Sequence, residues 1–187
     1  MIFASNNKGK INEIKSIFNE EEIVSLKEAN VDIEVEEDAD TFYGNAFKKA
    51  KEIYDITNIP VIADDSGICI DALNDWPGVL THRFAGELAS DEDRNKIMID
   101  KLIKEENKKA KVICNLVYYD GTNTIVGEGI LQGNIVSPRG TNGFGFDPIF
   151  ELNTGKTLAE LTSEEKNTTS ARYLAALDLK EKIKSKK

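Results

Sequence analysis

The sequence predicts an α/β protein built on a mixed sheet, and two observations support this prediction. Apolar strand segments and amphipathic helical segments alternate along most of the chain, as they do in a sheet flanked by helices. In the second half, Asp120-Gly121 separates two strand-like runs at hairpin spacing, so part of the sheet is antiparallel. A long twisted mixed sheet with a groove between two lobes suits this order of elements, although periodicity alone does not establish the groove.

The first half is predicted to hold five strand segments and two helices. The predicted strands are residues 1–5, 23–26, 32–35, 61–63 and 67–70. The last two flank a polar stretch at 64–66, which interrupts an otherwise apolar run. The helices are predicted at 10–18 and about 41–57, where apolar residues recur every three or four positions, with Asp40 as the N-cap of the second helix.

The second half is predicted to hold a meander between two helices. A helix begins after Ser90, with Asp93 completing a capping box, and runs to about residue 106. The segments that follow are strands at 112–119, 124–129 and 131–136 and a glycine-rich loop at 137–145. A second capping box, Thr162 with Glu165, precedes a last helix predicted over about 163–184. Its predicted inward-facing residues are Leu174, Leu177 and Ile183.

Length and composition predict a single globular domain spanning residues 1–187, because 40% of the residues are hydrophobic and 30% are charged. The sequence has no run of about 18 apolar residues and no basic leader before the first strand, so neither a membrane span nor a signal peptide is predicted. Cys69 and Cys114 lie in apolar, strand-like segments, which predicts buried free thiols and a cytoplasmic, reducing location.

The charge pattern limits the class of partner. The formal net charge is -9, and the sequence shows no basic stripe. Proteins that bind duplex nucleic acid gain affinity by neutralising phosphates, so nucleic acid is excluded as the expected partner. A small phosphorylated ligand remains open, because it needs only a few local cations, a metal ion and backbone N–H groups.

The first candidate site is the turn between the first strand and the first helix. Its residues are Ser5, Asn6, Asn7, Lys8, Gly9 and Lys10. Such a turn presents backbone N–H groups at a helix N-terminus beside two lysines, which favours phosphate binding. The P-loop pattern is absent, and an ordinary strand-to-helix turn is the alternative interpretation.

The second candidate site is a polar segment with two adjacent carboxylates. Its residues are Asp64, Asp65, Ser66 and Gly67. Neighbouring residues of a strand face opposite sides, so only one of the two carboxylates can face a given site. A carboxylate held here suits a Mg²⁺ ligand or a water-orienting base, and a surface turn is the alternative. One member of the acidic run Glu34, Glu36, Glu37 and Asp38 could share a metal with Asp65, although a charge run is usually a solvated face.

The third candidate site is the glycine-rich loop around Phe144, together with two cations that follow it. Glycines beside an aromatic residue let a planar ligand approach the backbone while the ring stacks on it. Asp147 can accept hydrogen bonds from a base or ribose, and Lys166 and Arg172 can donate them to keto or phosphate oxygens. The alternatives are a hairpin loop with a core ring and two surface cations. The single histidine, His82, excludes a multi-histidine zinc site.

These segments, in this order, resemble the inosine triphosphate pyrophosphatase family, also called Ham1-like. The matching segments are residues 5–10, 35–37, 41–46, 63–67, 72–86, 143–150, 159–166 and 170–172. Among them are the strings ADDSG, GFGFDPIF and AELTSEEK. The resemblance covers essentially the whole chain, and the ordered set of motifs is specific although no single motif is decisive.

The resemblance implies hydrolysis of ITP, dITP or XTP to the monophosphate and pyrophosphate, with Mg²⁺ as cofactor. It implies a homodimer of elongated α/β subunits, each with a central nucleotide cleft between two lobes. Residues 5–10 would hold the triphosphate, and Ser66 would contact phosphate. Asp65 would be the general base and a metal ligand, with Glu36 as the second Mg²⁺ ligand and Glu37 as the open alternative. Purine binding would use Phe144, Gly145, Phe146, Asp147, Lys166, Ala171 and Arg172.

The chain departs from the family pattern at a few positions. Ala171 stands where the family usually has histidine, and Gly44 stands where glutamate usually precedes Asn-Ala. Phe146 replaces a common tyrosine, and His82 replaces a usual alanine. The change at Ala171 puts base selectivity in question more than catalysis.

Three other functions are compatible with parts of the sequence. They are a Maf-like nucleotide pyrophosphatase with another base preference, a non-catalytic nucleotide-binding protein and a small-molecule phosphomonoesterase. A protein that only binds nucleotides has no need of both Asp65 and Glu36, so the two carboxylates favour a catalyst. The phosphomonoesterase would release orthophosphate, whereas the pyrophosphatases would release pyrophosphate.

Overall fold

The computed structural model of the protein, which describes residues 1–18 and 22–186, is a mixed α/β fold. The strands are β1 (Ile2–Phe3), β2 (Val24–Ser25), β3 (Val61–Ile70), β4 (Trp76–Pro77), β5 (Lys109–Tyr119), β6 (Thr124–Ile135) and β7 (Phe150–Glu151). The helices are α1 (Lys8–Ile17), α2 (Phe42–Thr57), α3 (Asp91–Leu102), α4 (Ser163–Lys166) and α5 (Ala171–Ser185). The strand order is β2-β1-β3-β5-β6-β7, with β4 paired to β3. β1 is parallel to β2 and β3, whereas β7 is antiparallel to β6, so the predicted mixed sheet is confirmed.

The chain divides into two compact units. Unit 1 is Met1–Ser66, Cys114–Gly129 and Ala171–Lys187, and unit 2 is Gly67–Ile113 and Ile130–Ser170. The segments predicted to bind phosphate and metal belong to unit 1. Phe144, Asp147 and Lys166, which are predicted to bind the base, belong to unit 2.

A buried apolar cluster supports unit 1. Its members are Ile2, Ala4, Leu26, Ala46, Ala50, Ile53, Val61, Ala63 and Val117. Val31 and Val35 pack against this cluster, but residues 32–35 form no strand, so the strand predicted there is wrong. The alternating apolar residues in this segment reflect contact with the core, without the ladder of backbone hydrogen bonds that defines a strand.

The ends of the helices follow from their capping residues. α2 begins after Thr41, whose side chain accepts a hydrogen bond from the Gly44 N–H at 2.9 Å, so Thr41 and not Asp40 is the N-cap. The capping boxes predicted at Ser90–Asp93 and Thr162–Glu165 are both present. Local side-chain chemistry therefore fixes where these helices start.

β3 is one continuous strand, and all ten of its residues are buried. The sequence predicted two short strands flanking a polar stretch at 64–66, and both that prediction and the alternative of a surface turn are wrong. Asp64 is 1% exposed and Asp65 is 4% exposed, so both carboxylates lie inside the fold. Buried carboxylates require partners, and those partners come from distant parts of the chain.

β6 is also one strand, where two strands had been predicted at 124–129 and 131–136. Gly127 and Gly129 do not break it, because α5 lies directly against them. A Cβ atom at Gly127 would lie 2.2 Å from the Ala175 carbonyl oxygen, and one at Gly129 would lie 2.0 Å from the Ala171 carbonyl oxygen. The two glycines therefore permit close contact between strand and helix backbones.

The helix predicted over 163–184 is two helices, α4 and α5. Leu174 and Leu177, predicted to face inward, are 37% and 38% exposed, and Ile183 is half-buried. The buried residues of α5 are Ala171, Arg172, Ala175, Ala176 and Leu179. Small residues occupy this face because it lies on the glycines of β6, so leucine positions do not indicate the inner side of this helix.

Both cysteines, Cys69 and Cys114, are free and buried, as predicted. Burial raises the pKa of the Cys69 thiol to about 11 and that of Cys114 to about 12. Across residues 1–18 and 22–186, no helix has the length and apolar character that a membrane crossing requires.

Candidate active site

The turn between β1 and α1 is ordered by its own side chains. The Ser5 hydroxyl accepts a hydrogen bond from the Asn7 N–H at 3.1 Å, and the Asn7 side chain accepts one from the Lys10 N–H at 3.2 Å. Asn6 Oδ1 accepts from the Lys27 N–H at 3.1 Å. The first turn of α1 carries no acidic residue, so its backbone N–H groups and two lysines form a positive end.

Arg172 on α5 is buried in a cluster of carboxylates within unit 1. Its Nε and Nη2 atoms donate to Asp64 Oδ2 at 3.1 and 3.0 Å. Its Nη1 donates to Glu13 Oε2 at 2.6 Å, and Nη2 also donates to Ser66 Oγ at 3.2 Å. Lys10 Nζ lies 3.1 Å from Asp64 Oδ2. These five residues form a buried ion network, here called the Arg172 cluster, and the surface-cation alternative for Arg172 is wrong.

Charges within the Arg172 cluster keep its central carboxylate ionised. Burial alone would raise the pKa of Asp64, but the Lys10 and Arg172 charges outweigh it and hold that pKa far below its usual range. The pKa of Arg172 is correspondingly raised by Asp64 and Glu13, against the opposing effect of burial. Asp64 Oδ1 is buried and has no hydrogen-bond partner among the described residues, so this oxygen can still accept a donor or a cation.

Asp65 is held by different partners from its neighbour Asp64. Asn45 Nδ2 donates to Asp65 Oδ2 at 2.9 Å, and the Ser66 N–H donates to Asp65 Oδ1 at 2.9 Å. Burial raises the pKa of Asp65 to about 6, with a lowering from the Asn45 hydrogen bond and a further rise from the Glu37 charge. A pKa near neutrality suits a general base.

Of the two adjacent glutamates in the acidic segment, Glu37 is the one that interacts with the residues around Asp65. Glu37 is half-buried and forms an ion pair with Lys49, whereas Glu36 is exposed. The pKa of Lys49 is raised because the charges of Asp64 and Glu37 outweigh the lowering by burial. The Glu37 charge also raises the pKa of Asp65. Glu37 is therefore the better supported partner of Asp65.

Asn45 and Lys49 are functional candidates that the sequence analysis did not single out. Asn45 is fully buried, and its Oδ1 accepts from the Ala39 N–H at 2.9 Å while its Nδ2 bonds Asp65. This residue thus ties the acidic segment to the carboxylate of Asp65. Asn45 and Lys49 are four positions apart, so they share one face of α2, beside the apolar stripe. Polar residues at that spacing were the signal available in the sequence.

The carboxylates of unit 1 fit a magnesium ion. Among residues 1–18 and 22–186, no three Asp, Glu, His or Cys side chains form a metal-binding group. Mg²⁺ sites in nucleotide enzymes commonly use one or two carboxylates with substrate phosphates, so a pair suffices. Asp65 is buried near the negative charges of Glu37 and Asp64, and a divalent cation would offset that repulsion.

Phe144, Asp147 and Lys166 form a second cluster, within unit 2. Lys166 Nζ lies 2.6 Å from Asp147 Oδ2 and 4.1 Å from the centre of the Phe144 ring. The Phe144 N–H also donates to Asp147 Oδ2, at 2.8 Å. Gly143 has a φ of +79°, and a Cβ there would lie 2.1 Å from Asp147 Oδ2, so only glycine fits. These contacts place an aromatic face, a cation and a carboxylate together.

Other residues predicted to bind the base have separate surroundings. The Phe146 and Phe150 rings pack edge to face, with centroids 6.5 Å apart. Ala171 begins α5 and is 3% exposed. His82 lines a small cavity of unit 2 with Asp91 and Phe146. Because Ala171 is buried, replacing it with histidine would place an imidazole ring in a buried position.

The chain is similar to known proteins over most of its length. The model of the Ham1 family matches residues 1–182. A Clostridium tetani protein named dITP/XTP pyrophosphatase is 40% identical, over 99% of this chain and 96% of that protein. A Clostridium perfringens protein of the same name is 42% identical, over 98% and 96%.

Solved structures show the same similarity in three dimensions. The Staphylococcus aureus Ham1 protein is 37% identical and superposes with a TM-score of 0.90, covering 100% of this chain and 98% of that chain. A Mycobacterium abscessus structure, described as a nucleoside-triphosphatase / dITP/XTP pyrophosphatase, has 37% identity and a TM-score of 0.75, with coverage of 94% and 97%. Sequence, fold and the ordered motifs agree over the length of the chain, which belongs to the Ham1 family.

Proposed function

We propose that this chain is a pyrophosphatase for noncanonical purine nucleoside triphosphates, acting on dITP, XTP and ITP as one domain spanning residues 1–187. The observation that carries the proposal is the environment of Asp65. Its carboxylate is buried, oriented by Asn45 and raised in pKa to about 6 beside a second carboxylate, Glu37. This is an arrangement for activating a water molecule, and a protein that only binds nucleotides has no use for it. Relatives named dITP/XTP pyrophosphatase supply the reaction and substrate class.

The phosphate end of the substrate is assigned to unit 1. Asp65 accepts a proton from the attacking water, which adds to the α-phosphorus as the bond to the leaving pyrophosphate breaks. The turn at 5–10 offers backbone N–H groups and the Lys10 charge to the triphosphate, and Ser66 offers a hydroxyl. Arg172 is better supported as the cation that keeps Asp64 ionised than as a base-reading residue, because its contacts are Asp64, Glu13 and Ser66.

Asp65 and Glu37 are the residues proposed to hold Mg²⁺, with Glu36 as the less supported alternative. A bound Mg²⁺ would supply charge neutralisation to the phosphate oxygens. Glu37 is preferred because it is half-buried and its charge acts on Asp65, whereas Glu36 is exposed.

Recognition of the purine is assigned to unit 2. Phe144 offers a face for stacking, and Lys166 can only donate hydrogen bonds. A keto oxygen at C6 of hypoxanthine or xanthine accepts such a donor, whereas the amino group of adenine presents another donor. Sites built to pair such a keto oxygen can reject the base that lacks it strongly, by about 10⁴-fold or more. This supports a preference for dITP and XTP over ATP.

The reaction type is tested by its products. With dITP and Mg²⁺ the protein should release dIMP and pyrophosphate, because the proposed attack is at the α-phosphorus. Phosphorus NMR of the reaction mixture distinguishes pyrophosphate from orthophosphate. Release of orthophosphate with dIDP would overturn the proposal in favour of a phosphatase, and recovery of unchanged dITP would overturn it in favour of a non-catalytic binder. A nucleotide panel that releases pyrophosphate but favours another base would support the Maf-like alternative.

The choice between two neighbouring carboxylates gives a second test. Glu37→Gln should raise the Mg²⁺ concentration needed for half-maximal activity by about tenfold or more, because it removes a proposed ligand. Glu36→Gln changes the same functional group one position away, on an exposed side chain, and should leave that concentration nearly unchanged. Titrating activity with Mg²⁺ at fixed dITP measures both. The opposite ranking would assign the metal to Glu36.

A homodimer located in the cytoplasm is also part of the proposal, from the resemblance to the family. The two buried free cysteines support a reducing compartment.

A further inference from the structure

Gly145, in the loop that carries Phe144, forms two hydrogen bonds with α3. The Gly145 N–H donates to Asp91 Oδ2 at 2.9 Å, and the Gly145 carbonyl oxygen accepts from Asn95 Nδ2 at 3.0 Å. Asp91 and Asn95 are four positions apart on α3, so they lie on the same face of that helix. Gly145 has a φ of +62°, a left-handed conformation that this pair of bonds holds in place. Both peptide groups of Gly145 are therefore fixed by one helix.

These bonds fix the backbone on both sides of the Phe144 ring. The Gly145 N–H belongs to the peptide that follows Phe144, and it is bound by Asp91. The Phe144 N–H belongs to the peptide that precedes the ring, and it is bound by Asp147. With both peptides held, the direction of the Cα–Cβ bond of Phe144 is determined.

Hydrogen bonds contribute to the orientation of Phe144 because an open cavity lies beside its loop. The loop from Gly140 to Gly145 and the adjoining face of α3 line a cavity of about 550 Å³. Asp91 and Asn95 are among the lining residues, so both hydrogen bonds to Gly145 join residues at the wall of this cavity. Asn95 is only 7% exposed, so its bond to Gly145 is shielded from competing water.

The anchoring carboxylate is itself held in place. Arg94 Nη2 donates to Asp91 Oδ1 at 3.0 Å, which leaves Oδ2 directed at Gly145. Asp91 is the first residue of α3, where a negative charge is stabilised by the helix dipole. Burial would raise the pKa of Asp91, but the hydrogen bonds from Arg94 and Gly145 lower it overall, so the acceptor stays ionised.

We propose that Asp91 and Asn95 are positioning residues that hold Phe144 in its stacking orientation and thereby set the affinity of the protein for the purine base. The inference rests on the proposed function, because it assumes that the ring of Phe144 receives the base. A ring that is already ordered binds without the entropy cost of fixing its backbone and rotamer, so loss of either anchor weakens binding of the base. The chemistry at phosphate, carried by residues of unit 1, is not expected to change.

The test compares variants that remove a hydrogen-bonding group, keep it, or replace a donor with an acceptor. Asp91→Ala and Asn95→Ala should each raise KM for dITP about tenfold, with kcat changed less than about twofold. Asp91→Asn keeps an acceptor for the Gly145 N–H and should restore KM to near the wild-type value. Asn95→Asp cannot donate to the Gly145 carbonyl and should resemble Asn95→Ala. Asp100→Ala, on the same helix with a side chain 52% exposed, is the matched control and should leave KM unchanged.

A second measurement separates base positioning from general damage. Inorganic tripolyphosphate has phosphates but no base, so its inhibition constant should be the same in all variants. The dissociation constant of dIMP, measured by calorimetry without turnover, should rise about tenfold in the two alanine variants. An unchanged KM, a fall in tripolyphosphate affinity equal to that for dIMP, or a failure of Asp91→Asn to restore binding would overturn the inference. Failure of the proposed function is distinct, because the wild-type protein would then not convert dITP to dIMP.

Discussion

Asp65→Asn is expected to lower kcat for dITP by at least about 100-fold while the protein stays folded. The carboxamide cannot take the proton of the attacking water, and it carries no charge to hold a metal ion. The two oxygens of Asp65 accept from Asn45 and from the Ser66 N–H, and an amide satisfies only one of these donors. A loss of about 1–3 kcal/mol in the free energy of unfolding is therefore expected, which a domain of ordinary stability tolerates.

The measurement for this variant is the initial rate at saturating dITP and Mg²⁺, so that weaker binding does not imitate a slower chemical step. Asp55→Asn is the matched control. Its carboxylate lies on α2, is 52% exposed and pairs with Lys51 at 2.5 Å. Neither kcat nor the free energy of unfolding should change noticeably in Asp55→Asn. An Asp65→Asn protein with near-normal kcat would remove Asp65 from the role of general base.

Arg172→Met is expected to reduce the free energy of unfolding by about 3–5 kcal/mol. Methionine keeps an aliphatic side chain but removes the charge, so Glu13 loses its ion pair with Arg172 and Asp64 keeps the cation of Lys10 alone from the Arg172 cluster. Asp64 is 1% exposed and Glu13 is 3% exposed, so water cannot replace the lost bonds. Urea denaturation monitored by circular dichroism measures the change. Activity should fall as well, since Arg172 donates a hydrogen bond to Ser66 and shares its partner Asp64 with Lys10.

An ion pair farther along the same helix provides the comparison. Lys182 and Asp178 are 2.7 Å apart, and their side chains are 48% and 34% exposed. Lys182→Met should cost no more than about 1 kcal/mol, because water screens this pair. Adding Glu13→Gln to the Arg172→Met protein should recover part of the lost stability, since it removes a buried negative charge that Arg172 had balanced. If Arg172→Met costs no more than Lys182→Met, the Arg172 cluster does not stabilise the fold.

The sequence predicted those parts of the fold that local chemistry determines. The capping boxes at Ser90–Asp93 and Thr162–Glu165 and the mixed sheet follow from short-range patterns, and the structure contains them. The continuity of β3 could not be predicted in that way. Asp64 can be buried because Lys10 and Arg172, which is 108 positions away, pair with it, and no local pattern contains those pairings. A surface turn was therefore an open interpretation of residues 64–66.

The same distinction applies to the candidate site. The turn at 5–10 is recognisable because a strand, a glycine and a helix with lysines follow one another. Glu37 could not be separated from Glu36 in the sequence, because the difference between them is burial and contact with Lys49. The inward orientation predicted for Leu174 and Leu177 is wrong for a similar reason. The inner face of α5 is determined by its packing on the glycines of β6.

The glycines of β6 determine how deeply α5 lies in unit 1. Main chain meets main chain at Gly127 and Gly129, so the helix axis is placed by the thickness of two backbones. The guanidinium of Arg172 projects from that helix to Asp64 and Glu13. A methyl group at either glycine would act as a spacer, lifting the helix and drawing the cation away from both anions. Two residues without side chains thus help to set the charge balance of a site that they do not touch.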